Sequence, residues 1–207
     1  MIAKNLKEIR DKIDKIKNNL GIDYDINLMA VSKTFPKEDV IEAIGAGQFL
    51  FGENRILEAY SKFKDIPNEK NSFELHIIGH IQRNKAKEAV LIASAIESID
   101  KIETLDAVEK EASKIGKNID FLIELNSSFE PQKFGINPED TLKFIDEVLS
   151  KNYKYCSLRG LMTVGPLTDD KTKIRESFRL LKKIFDNVRN YLKNPNFNVL
   201  SMGMSGD

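Results

Sequence analysis

Seven short apolar runs punctuate the chain, and six of them lead into a segment whose apolar residues recur at helical spacing; no other feature constrains the fold as much. The runs fall at 26–31, 48–51, 75–78, 95–99, 119–125, 158–164 and 198–202. The helical segments fall at 37–46, 53–63, 82–92, 102–115, 138–149 and 171–192. Strands that read as continuous apolar runs are buried on both faces, and strands separated by helices run parallel. The expected fold is therefore α/β, a (β/α)8-type TIM barrel built as a single domain over residues 1–207. A doubly wound open sheet is the alternative, because strand order is not legible in one sequence. A closed barrel needs eight strands and seven are countable. The expectation is a chain that lacks the last helix and strand or closes its barrel in another way. The stretch at 68–72 reads as a polar connection.

An extra helix precedes the first strand. Its apolar residues, Ile2, Leu6, Ile9, Ile13, Ile16 and Leu20, are spaced 4, 3, 4, 3, 4 and end at Gly21, a candidate C-cap. Packing on the chain's own core is the expected use of that stripe, and a dimer contact the alternative, so a monomer or a weak dimer is expected. The balance of 32 basic against 32 acidic residues argues against nucleic acid as a partner. With one cysteine, Cys156, no intramolecular disulfide can form, which suits a reducing compartment. The first twenty residues are studded with Lys, Asp and Glu, unlike a secretory signal, and no apolar run is long enough to span a bilayer. A cytoplasmic protein with no membrane partner is expected.

In a βα barrel chemistry sits where strands end and loops begin. Lys33 follows the first strand, between Ser32 and Thr34. A lysine at the end of an apolar strand is partly desolvated, which favours the neutral amine that attacks carbonyls. Position alone does not overturn the reading of an ordinary surface lysine. The turn from Ser201 to Gly206 carries glycines and hydroxyls that suit a phosphate cradle, or simply a capped βα loop. An amine for an aldehyde and a cradle for a phosphate on one barrel face together suggest pyridoxal phosphate.

Weaker signals flank these. Glu53, Asn54 and Arg55 follow the second strand; Asn54 suits a ligand hydrogen bond, and Glu53 suits a helix start. Lys133 adds positive charge to the loop after the fifth strand or is merely solvated. Met162 ends the sixth strand, where it packs on a flat ring or fills core. His76 and His80, if extended, stand about 13 Å apart, too far to share a metal, so no metal site is expected. Gly45-Ala-Gly47 ends a helix before a strand, the reverse of the dinucleotide-binding order. Cys156 lacks a nearby partner and reads as a small buried apolar residue.

Six short segments in order carry a resemblance: Ala30-Val-Ser-Lys33-Thr; Phe51-Gly-Glu-Asn54-Arg-Ile-Leu-Glu58; His76-Ile-Ile-Gly79-His-Ile-Gln82-Arg-Asn84-Lys85; Lys133-Phe-Gly-Ile136; Gly160-Leu-Met162; and Leu200-Ser-Met-Gly-Met-Ser205-Gly-Asp207. In these the chain resembles the pyridoxal phosphate homeostasis proteins, single-domain barrels related to the N-terminal domain of alanine racemase. The resemblance implies that Lys33 holds pyridoxal 5'-phosphate as an internal aldimine and that Ser201, Gly203 and Ser205 help bind its phosphate. It implies that Asn54 and Met162 line the pocket and that Lys133 helps handle the cofactor. It further implies a carrier and regulator of the cofactor without established catalysis, with PLP-dependent apoenzymes as partners in amino-acid metabolism. A racemase-like enzyme is the alternative; the related racemases carry a further β domain and a catalytic tyrosine, for which this length leaves no room. Glu97 stands where many members have a histidine, and members usually continue past the Ser-Gly-Asp turn through a helix and a strand.

Overall fold

The computed structural model describes residues 1–67 and 72–204. Its elements alternate in the expected order. Helix α1 (Ile2–Leu20) precedes β1 (Met29–Val31), α2 (Lys37–Gly45), β2 (Leu50–Glu53), α3 (Ile56–Phe63) and β3 (Glu74–Ile77). There follow α4 (Ala86–Ile92), β4 (Ala95–Ile99), α5 (Ile102–Ile115), β5 (Ile119–Glu124), α6 (Thr141–Ser150), β6 (Cys156–Val164), α7 (Lys171–Leu192) and β7 (Val199–Gly203). Single 3-10 turns, Arg83–Lys85 and Pro138–Asp140, lead into α4 and α6. Local chemistry sets the ends: Asp170 caps α7 by accepting from the Thr172 and Lys173 N–H groups, and Gly21 ends α1 at a φ of 62°.

The seven strands form one all-parallel sheet in chain order, β1 to β7. In a flat sheet β4 and β7, three strands apart, would stand about 14 Å from each other. The Ser201 hydroxyl on β7 instead donates to Glu97 Oε2 on β4 at 2.6 Å. The sheet is therefore curled into a barrel-like wall, with side chains of alternating positions inside it and the helices outside. The apolar layer between sheet and helices holds Phe51, Ile77, Ile96, Leu105, Ile123, Leu161 and Leu181, all buried. Phe51, Phe63 and Phe73 meet there edge-on or tilted, with ring centroids 5.5–6.3 Å apart.

Three expectations change. The first strand is shorter than 26–31, because its pairing with β2 spans only Met29 to Val31, and Ile26 is exposed. The helix read at 53–63 starts at Ile56; Glu53 is the last residue of β2 and is fully buried. The seventh strand, read at 198–202, is Val199–Gly203, so Gly203 as well as Ser201 lies on β7 and not in the turn read from 201. The polar connection at 68–72 lies, through residue 71, outside the described residues. Among the described residues no helix is long and apolar enough to cross a membrane.

Candidate functional site

Because all seven strands run the same way, their C-terminal ends share one face, and the residues singled out from the sequence gather there. Lys33 follows β1 by two residues. Asn54 follows the end of β2, the strand paired with β1. Both are half-buried, and among the described residues no carboxylate pairs with the Lys33 amine. On the other side of the sheet Met162 and Ser201 are register partners, as are Val164 and Gly203. Met162 is buried; among the described residues nothing stands within 4 Å of where a Gly203 Cβ would lie, and the Gly203 carbonyl accepts from the Gly165 N–H. Ser205 lies outside the described residues.

Ser201 and Lys133 are both engaged with the protein itself. The Ser201 hydroxyl proton is committed to Glu97 inside the barrel. Lys133 donates to the Gly165 carbonyl at 2.7 Å and pairs with Glu130 at 2.9 Å, tying the loop after β5 to the loop after β6. Ser127, Thr163 and Ser177 brace the same region through hydroxyl contacts of 2.6–2.7 Å, all three buried.

Two charged networks stand just beneath this face, and the sequence showed neither. Inside the barrel, His76 Nδ1 lies 2.6 Å from Glu97 Oε1 and its Nε2 lies 3.6 Å from Glu74. Burial is the largest single influence on His76 and pushes it down. The carboxylates of Glu74 and Glu97 together outweigh that and hold it up, at about 9. At the end of β5, burial and the Asp100 charge raise Glu124 to about 7, with Lys133 opposing. His80 faces Asp100 at 3.7 Å and stacks on Phe134 at 4.0 Å, so the two histidines have separate partners.

The second network lies behind Lys33. Ser32 Oγ donates to Glu53 Oε1 at 2.7 Å, and Lys62 Nζ donates to that same oxygen and to the Ser32 carbonyl, each at 2.6 Å. Thr34 N–H donates to Glu58 Oε1 at 2.7 Å, and Lys62 reaches Glu58 at 3.3 Å. Thr34 sits at a φ of 68°, a region that costs a side chain about 1–3 kcal/mol, so an anchor on its N–H is required to hold it there. That bond, the first cause, holds the Glu58 carboxyl below the usual range. Lys62 was missed; the one signal available was its i,i+4 spacing from Glu58. Cys156 is buried on β6, as expected for a small apolar residue, and burial and the nearby Glu109 raise its thiol.

Comparison with known proteins agrees with this geometry. The model of the alanine racemase N-terminal domain matches residues 4–207. A pyridoxal phosphate homeostasis protein from Helicobacter pylori is 32% identical over 197 residues, covering 95% of this chain and 85% of its own. The structure of PipY from Synechococcus elongatus, solved with PLP bound, superposes with a TM-score of 0.81 at 26% identity, covering 100% of this chain and 91% of its own. An alanine racemase from Clostridium difficile shares the fold, with a TM-score of 0.71 at 14% identity over 97% of this chain and 53% of its own. With the motif segments seated at the strand ends and the match running the full length, this chain belongs to the pyridoxal phosphate homeostasis protein family of alanine racemase N-terminal-type barrels.

Proposed function

We propose that this chain binds pyridoxal phosphate on Lys33 and holds it in reserve inside the cell for PLP-dependent apoenzymes, without turning over a substrate of its own. The observation that carries the reading is Lys33 itself: a half-buried amine at the end of β1, unpaired with any carboxylate among the described residues. When bound, the cofactor supplies an aldehyde that a neutral amine captures with loss of water. The surroundings fit such a group. Asn54 offers an amide after the end of the neighbouring strand β2, Met162 a buried thioether for a flat ring, and Gly203 a position at the end of β7 where no described residue would meet a Cβ. We assign Ser205 and the backbone around Gly203 to the phosphate, whereas Ser201 supports that strand from within through Glu97. Lys133 steadies the neighbouring loop and adds positive charge to the face.

The absence of turnover is supported by where the tyrosines lie. Racemisation removes a proton on one face of the substrate and delivers one on the other, which takes two groups on opposite sides. All five tyrosines lie on helices or on connections that precede a strand. Tyr153 and Tyr191 donate to Asp106 and Asp146 there.

Mixing the purified chain with pyridoxal phosphate, reducing with borohydride and mapping the labelled peptide tests the site. Label on Lys33, lost in Lys33→Ala, is expected; label scattered over surface lysines overturns the assignment. An alanine racemisation assay should show no more turnover than free cofactor, and sustained turnover that depends on Lys33 would overturn the carrier reading.

A further inference from the structure

The buried network behind Lys33 is an expensive way to stabilise a barrel. Glu53 is 0% exposed and Lys62 6% exposed. Taking two opposite charges out of water generally costs about as much as their attraction returns, and an apolar pair of similar size is often as stable. Glu53 Oε2 is in addition buried without a hydrogen-bond partner among the described residues, a further cost. What the network does supply is position. Its contacts to the chain outside α3 and Glu53 all fall on Ser32 and Thr34, the two neighbours of Lys33 in sequence. Ser32 is held by side chain and carbonyl, and Thr34 by its N–H. Lys33 is left as the one residue of the three without a bond to the network.

We propose that Glu53, Lys62 and Glu58 are positioning residues for Lys33: they fix the backbone on both sides of it, so that its amine meets the aldehyde from one defined place. This rests on the reading that Lys33 takes up the cofactor. Lys62 has a second part in the same arrangement. By pairing with one oxygen of each carboxylate it competes with the Lys33 ammonium, which would otherwise find two acceptors next to its own backbone.

A two-aldehyde comparison tests this. Pyridoxal phosphate carries a phosphate that must be bound elsewhere while the amine reacts, so its capture depends on where the amine stands. Formaldehyde has no second anchor and reports only the chemical reactivity of the amine. The rate at which each is fixed on Lys33 by cyanoborohydride is read by peptide mass spectrometry, with the exposed Lys7 as internal reference. In Glu58→Gln, which leaves no unpaired buried charge, capture of pyridoxal phosphate should slow about tenfold, the factor that about 1.5 kcal/mol of charge-assisted hydrogen bonding represents. Formaldehyde capture should stay within about twofold, since the amine itself is untouched. The double variant E53Q/K62M removes both members of the buried pair at once and should behave in the same way, which keeps the test open if a single charge change prevents folding. Unchanged pyridoxal phosphate capture in variants that melt in one transition overturns the proposal, and so does an equal fall for both aldehydes. If the unsubstituted chain itself fails to place pyridoxal phosphate on Lys33, the fault lies with the site assignment, and the positioning proposal falls with it.

Discussion

Replacing His76 by Gln removes a proton in the barrel interior whose stability contribution has a defined pH window. In the folded chain His76 lies between Glu97 and Glu74 and holds its proton up to about 9, against 6.5 ordinarily. The folded value is the higher, so the contribution is fully present below pH 6.5 and is lost as pH rises through 9. The step from 6.5 to about 9, at about 1.4 kcal/mol per pH unit, corresponds to about 3 kcal/mol. Part of that must be discounted. Glu74 is 47% exposed and its attraction is screened by solvent, whereas Glu97 is 2% exposed and retains its full effect. A difference of about 2 kcal/mol is left for the Glu97 contact. Gln keeps the size and a neutral donor, so the comparison isolates the charge. Urea unfolding of both proteins at pH 6 and pH 9.5, with equal slopes, measures it. The stability advantage of the unsubstituted chain should shrink by about 2 kcal/mol between the two pH values. Titration of lysines near pH 9.5 is common to both proteins and cancels. If the gap is the same at both pH values, His76 is neutral in the folded chain and the reasoning about its two carboxylates is wrong.

Glu124→Gln should act in an adjacent window: the folded carboxyl titrates at about 7 and the unfolded one at 4.5, so its stability contribution fades as pH rises between them. The variant should match the unsubstituted chain near pH 4.5 and exceed it by up to about 3 kcal/mol at pH 8, measured by urea midpoints; an equal midpoint at pH 8 would count against the buried acid. Gly160→Ala puts a methyl group onto the Val199 carbonyl, a backbone atom of the neighbouring strand, with no flexible side chain to yield. It should cost about 1–3 kcal/mol or more and loosen β7 first, visible as faster amide exchange at Leu200 and Met202 than at Phe121.

How much of this could be read beforehand depends on whether a residue's fate is settled by its neighbours in sequence. Helices Ile2–Leu20, Ile102–Ile115 and Lys171–Leu192 and strand Ala95–Ile99 follow the expected bounds, because periodicity and end chemistry are local. The first strand is misjudged because its length is set by β2, which pairs with only three of its residues. Glu53 reads as a helix start because a carboxylate before an apolar helix usually is one; its burial depends on Lys62, nine residues on and a helix away. Ser201 reads as part of a phosphate turn because its neighbours are Gly, Met and Ser. Its partner, Glu97, is 104 residues distant, and only the curl of the sheet brings them together.

The two charged networks share a logic that explains where they stand. In the described residues β1 and β7 are the edges of the sheet, each with one paired neighbour where the inner strands have two. β1 contributes three residues to its ladder and is the shortest strand. These edge strands carry the segments assigned here to the cofactor, Lys33 after β1 and the stretch around Gly203 at the end of β7. Apolar packing alone leaves such a segment free to slide, because the hydrophobic effect has no direction. Hydrogen bonds to a buried carboxylate do have one, and they are short: 2.7 Å from Ser32 to Glu53, 2.7 Å from Thr34 to Glu58, and 2.6 Å from Ser201 to Glu97. Each carboxylate is itself held by a basic group, Lys62 in one network and His76 in the other. Both networks thus anchor an edge strand, where the sheet is least able to fix geometry by pairing, and under the proposed function those are the two places where an amine and a phosphate-binding backbone keep a set distance.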